Sequence, residues 1–161
     1  MNRAWAFIIS KTLSKEELSS LAEAGNKFVL GWTAHEQQLT ASFEIIKEKI
    51  IVVKVNEEVT NASGCSIDKL TRFIKDAEAQ FKIELLNRLL VAYKKGDTIE
   101  VVHATKIKEL LEQNLISENT IIYNTSINNQ NDLKNWEQAL KETWLNKYLS
   151  PAKMEDVKGK L

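Results

Sequence analysis

The stretch Ala62-Ser63-Gly64-Cys65-Ser66-Ile67-Asp68-Lys69 holds the one thiol of the chain, directly ahead of a segment with helical periodicity. A helix start presents unpaired backbone N–H groups, which favour a thiolate. Lys69, in the first turn, acts in the same sense, whereas Glu57 and Glu58 oppose it. His35 would take the thiol proton and Asp68 would orient the imidazole. So read, Cys65, His35 and Asp68 are the candidate catalytic set, suited to acyl transfer or thiol redox chemistry.

Two other readings use the same residues. Ser63, Gly64 and Ser66, with Lys69 and a Trp32 wall, would form a nest for a carboxylate or phosphate. Alternatively Cys65 packs as a small hydrophobe while Ser63-Gly64 turns the chain and Ser66 caps the helix. Residue types alone favour packing, because structural thiols are commonly inert. His35 on its own reads as a loop histidine, and Trp32 as the last residue of an apolar stripe.

These residues need elements to hold them. Residues 4–10 read as a strand. Ser14-x-x-Glu17 is a capping box, and Leu13 and Leu18 occupy staple positions. The helix that follows places Leu18, Leu21, Ala22, Gly25, Phe28, Val29 and Trp32 on one stripe. Two strands, 40–46 and 49–55, flank a Lys47-Glu48 turn, and KIIVVKV suits a central strand. A second helix carries Ile67, Leu70, Ile74, Ala77 and Phe81. A hairpin pairs 88–94 with 98–103 around Lys95-Gly96-Asp97. A third helix presents Ile107, Leu110, Leu111 and Leu115, and residues 120–124 form a short strand. A fourth helix carries Leu133, Trp136, Leu140 and Trp144 until Pro151 stops it.

The order β-α-β-β-α-β, then β-α-β-α, predicts an α+β fold with a ferredoxin-like split βαβ core. In that sheet the first two strands run the same way, with the third antiparallel between them. The topology therefore gathers His35, Cys65, Asp68 and Asp97 at one pole and sends His103 to the other. With 43% apolar residues the chain can bury a core as one domain over 1–149, leaving 150–161 as a polar tail.

Charge narrows the partners. The 22 basic and 22 acidic residues cancel and are interspersed, which gives neither nucleic acid nor anionic lipid a basic stripe to bind. Neutrality limits colloidal repulsion, so self-association is expected, as is a small anionic ligand at the thiol loop. No stretch reaches the roughly 18 apolar residues of a membrane span, and the N-terminus lacks a signal-peptide pattern. A cytoplasmic location is expected. One Cys and two distant His residues give no spacing for a metal, and no cofactor is implied.

The segments Trp32-x-x-His35, Ala41-Ser42-Phe43 and 62–69 occur here in that order. Up to about Trp144 the chain resembles a small, uncharacterised bacterial family whose members share these segments and carry the automatic label "ABC transporter ATPase". The label implies ATP hydrolysis. A P-loop needs Gly-x-x-x-x-Gly-Lys-Ser/Thr, and none of the five glycines fits it. The resemblance thus implies kinship without a P-loop ATPase, and it assigns no role to Cys65. The expected function is a noncatalytic ligand-binding or protein-interaction module. The alternative is a thiol enzyme with Cys65 as nucleophile and His35 as base.

Overall fold

The structure is a computed structural model and describes residues 2–56 and 62–150. The expected roles of Glu57, Glu58, Pro151 and the tail beyond Ser150 lie outside those residues. Strand β1 (Arg3–Ile8) leads into helix α1 (Lys15–Leu30). The expected capping box starts it: Glu17 N–H donates to Ser14 Oγ at 3.1 Å, and Ser14 N–H to Glu17 Oε1 at 3.0 Å. Leu13 and Leu18 enter one apolar core, as the staple requires. Leu21, Gly25 and Val29 are the buried face of α1. Phe43 lies so close to Gly25 that a Cβ there would stand 2.3 Å from its ring.

A short hairpin follows, β2 (Thr33–Ala34) and β3 (Gln37–Gln38), then strands β4 (Thr40–Ile46) and β5 (Ile50–Asn56). β5 lies between β1 and β4, antiparallel to both. Both of its faces are covered. Ile51, Val53 and Val55 meet the core under α1 and α2 (Gly64–Phe81), while Ile50 and Val52 face a second sheet. A strand buried on both sides needs no polar alternation, which accounts for KIIVVKV.

The second sheet holds β6 (Leu90–Lys95), β7 (Thr98–His103), β8 (Ile121–Tyr123) and β9 (Glu137–Ala139), in the order β7-β6-β8-β9. The four-stranded ferredoxin-like sheet is therefore not formed. The strand expected to complete it is β6, and β6 pairs with β7 and β8 instead. Both faces of β6 find apolar partners there. Leu90 and Ala92 pack toward the first sheet, while Val91 and Tyr93 join a separate core with Ile107 and Leu111 of α3 (Ile107–Glu112). The result is an α+β fold of antiparallel sheets, layered helix, sheet, sheet, helix.

Two C-terminal expectations fail. The long fourth helix is only α4 (Gln130–Lys134), because residues 137–139 pair with β8 and satisfy its edge. Trp136 packs edge-on against Tyr123 at 5.1 Å, but Trp144 is 49% exposed and not core. Likewise Asn114 (φ 58°) lies just beyond the end of α3, so Leu115 is 66% exposed and Ile116 fills the core.

Candidate functional site

The thiol loop is built by a second capping box. Ser63, not Ser66, is the N-cap of α2. Ser66 N–H donates to Ser63 Oγ at 3.2 Å, and Ser63 N–H donates to Ser66 Oγ at 2.7 Å. Ser66 Oγ in turn donates to Ser63 O at 2.8 Å. Ser66 is 1% exposed, so its hydroxyl serves the cap from inside the protein. The expected N-cap was displaced by three residues because helical backbone starts at Gly64.

Cys65 is exposed, which overturns the packing reading of its side chain. It stands in the first turn of α2 with its neighbours, not its sulfur, turned inward: Ser66 and Leu70 are buried. Trp32 is core, and its Nε1–H donates to Ser66 O at 2.8 Å. Lys69 Nζ reaches Thr33 Oγ1 at 3.5 Å. The end of α1 and the start of α2 thus meet at one end of the first sheet. His35 and Glu36 form the β2–β3 turn, both at positive φ (50° and 67°), and His35 and Asp68 are exposed. The hydrogen bonds of this region run through Trp32, Thr33, Ser63, Ser66 and Lys69; among the described residues none joins His35, Cys65 and Asp68. Asp97 sits in the β6–β7 turn beside Gly96 (φ 59°), and His103 accepts from Thr105 N–H at 3.2 Å to start a 3-10 turn. Among the described residues, no three His, Cys, Asp or Glu side chains are grouped as metal ligands would be, and no helix is long and apolar enough to cross a membrane.

A more enclosed feature lies along the free edge of β1. A cleft of about 410 Å³ is lined by residues 5–8, 85–88 and 125–128 together with Leu90. Successive residues of a strand direct their main-chain groups to opposite edges. Ile9 N–H donates to Lys49 O at 2.8 Å, so the odd-numbered residues of β1 face β5. Ala4 N–H donates to Asn128 O at 3.3 Å and Ser10 N–H to Glu84 O at 3.1 Å, on the other edge. Ala6 and Ile8 lie between those two ties, and their main-chain groups point to the cleft. Outside the β1–β5 ladder, no hydrogen bond among the described residues reaches either one.

The facing segment is prevented from closing this edge. Asn128 N–H is taken by Asp132 Oδ2 at 3.0 Å, and Ser126 N–H by Asn124 Oδ1 at 3.0 Å. The first bond belongs to the start of α4 and the second is a local Asx contact over 124–126, so neither amide extends the pairing with β1 beyond the Arg3–Asn129 bridge. Among the described residues Arg88 is the only charged one in the cleft lining, and it is exposed. It also lines a neighbouring cleft of about 320 Å³ that includes Asn124, Glu142 and Trp144. Leu90, Thr125 and Ser126 are likewise shared, so the two clefts adjoin. A larger cleft of about 710 Å³ beside α3 ends at Ser150, the last described residue. Sequence reading missed the β1 edge because an unpaired main-chain row has no residue signature. Compared with family models, curated proteins and solved structures, the chain matches none.

Proposed function

We propose that the protein is a noncatalytic binding module whose ligand sits in the cleft along β1 and reaches Arg88. One observation carries the reading: the main-chain groups of Ala6 and Ile8 face a 410 Å³ cleft with a single charged residue among the described residues of its lining. Buried or half-buried backbone groups seek partners, so a cleft edged by them favours a ligand that can both donate and accept. Leu86 (40% exposed) lines this cleft and the exposed Trp144 the adjoining one, adding apolar surface where a ligand would gain from burial.

The thiol-enzyme alternative draws less support. Cys65 is accessible, but the hydroxyls beside it are committed to capping α2. A ¹⁵N-resolved NMR screen of small carboxylic acids and amides tests the module reading. Saturable shifts at the amides of Ala6, Ile8 and Arg88 are expected. A screen in which only residues around His35 and Cys65 respond would transfer the site to the thiol loop and end this reading.

A further inference from the structure

We infer that the β1 cleft receives an extended peptide that adds to β1 as a strand and places a carboxylate on Arg88. This rests on the binding-module reading and narrows it to one ligand class. Ala6 and Ile8 offer N–H, C=O, N–H and C=O groups in one row, at the two-residue repeat of a strand. An extended main chain carries the matching row, whereas a compact metabolite does not. The row has defined ends, because Ala4 is tied to Asn128 and Ser10 to Glu84. Six residue steps separate those ties, about 20 Å of strand at the usual rise. The walls at 85–88 and 125–128 stand across from β1, so the opening suits a single strand better than the sheet edge of a second copy.

Charge selects among peptides. Arg88 forms no ion pair or hydrogen bond among the described residues, and none of the acidic ones lines the 410 Å³ cleft with it, although Glu142 lines the adjoining cleft. A guanidinium in that setting pairs best with a planar carboxylate, from an Asp or Glu side chain or a chain terminus. Leu86 and Trp144 then flank the peptide with apolar surface.

The test selects displayed random peptides of about seven residues on the full-length protein, then titrates synthetic copies of the enriched ones. Enrichment of acidic or free-carboxylate peptides is expected, with saturable amide shifts at Ala6 and Ile8. Arg88→Gln should weaken binding about tenfold or more, as should replacing the peptide carboxylate by an amide. The melting temperature of Arg88→Gln reports that the fold is intact. N-methylation should abolish binding at alternate peptide positions only, since only alternate N–H groups face β1. Equal binding by Arg88→Gln, or tolerance of N-methylation at every position, overturns the inference. So does a failure to enrich any peptide, or shifts at Ala6 and Ile8 that follow protein concentration alone, which would make the occupant a second copy. If peptides fail while small carboxylates still shift Ala6 and Ile8, the peptide class falls and the module survives. If neither probe shifts those amides, both fall.

Discussion

The indole of Trp32 donates to the carbonyl of Ser66 across 2.8 Å, locking the end of α1 to the first turn of α2. Trp32 is 1% exposed, so the bond is shielded from water. Its ring also meets Trp5 and Phe28, with centroids 5.9 and 5.2 Å away. Trp32→Phe keeps an aromatic ring but removes the donor and part of the volume. A loss of about 2 kcal/mol is expected, summing one buried hydrogen bond and partial cavity formation. Urea unfolding measures it. An unchanged midpoint would mean that the two helix ends are held by something other than this residue.

Gly25 and Phe43 make a second dependent pair. The ring occupies the space a Cβ on residue 25 would need, at 2.3 Å. Ala is ordinarily the better helix residue by about 1 kcal/mol. Here Gly25→Ala should instead destabilise by about 2 kcal/mol, because a rigid ring and the backbone must separate. Phe43→Leu vacates ring atoms, so adding it to Gly25→Ala should cost less than the sum of the two single changes. Strict additivity in that double-mutant cycle would show that the close approach is not the cause.

The elements that could be read from residues were those whose local chemistry and tertiary role agree. Ser14-x-x-Glu17 has the acidic N3 residue of a capping box, so the start of α1 was legible. Ser63-x-x-Ser66 makes the same two bonds with Ser at N3, and without that cue residue types point to Ser66 as the cap. Trp136, Leu140 and Trp144 have helical spacing, yet the unpaired edge of β8 draws residues 137–139 into a strand. Pairing with a neighbour outweighs spacing there. β6 is the deeper case. Its composition announces a strand but not which sheet it joins, and that choice decided whether the fold was ferredoxin-like. The thiol loop was visible because Cys is rare. The β1 cleft was not, since it depends on where 124–128 turns away.

The β4–β5 turn offers room for improvement. Lys47 and Glu48 both hold positive φ, 49° and 66°, which L side chains other than Asn and Asp rarely adopt. Lys49 N–H closes the turn on Ile46 O at 3.0 Å. Lys47→Asn with Glu48→Gly supplies the chemistry this geometry prefers. A gain of about 1 kcal/mol is expected, net of the entropy that Gly restores to the unfolded chain. Thermal melts of the double variant decide it. A lower melting temperature would mean that the side chains of 47 and 48 stabilise the hairpin more than their backbone strains it.

Stability should change in opposite senses at the two ends of the pH range. Burial raises the phenols of Tyr93 and Tyr123 above their ordinary 10.0, aided by Glu100 and Glu137 respectively. A raised folded value means the native state holds its proton more tightly. The contribution is therefore complete below about pH 10 and is lost as pH rises through the folded value. The Tyr93→Phe, Tyr123→Phe pair should flatten that alkaline decline. Glu17 behaves in reverse: hydrogen bonds from Ser14 lower its carboxyl, so its contribution holds above 4.5 and disappears as pH falls through the folded value. Glu17→Gln should remove that share of the acid limb. An alkaline profile identical with and without the two phenols would refute the first assignment.

Cys65 gives the last test, and it separates an accessible thiol from a structural one. Its side chain is exposed in the first turn of α2, while the cap is made by Ser63 and Ser66. Nothing in the cap passes through the sulfur. Cys65→Ser should therefore leave stability within about 0.5 kcal/mol, the usual range for a surface change. Ser63→Ala should cost about 1 kcal/mol, because it removes the oxygen that receives the N3 amide. A chromogenic disulfide reagent should titrate the thiol in the native protein, with a rate that unfolding changes only slightly. Reaction that starts only when urea unfolds the chain would place the sulfur beneath other side chains and restore packing as its role.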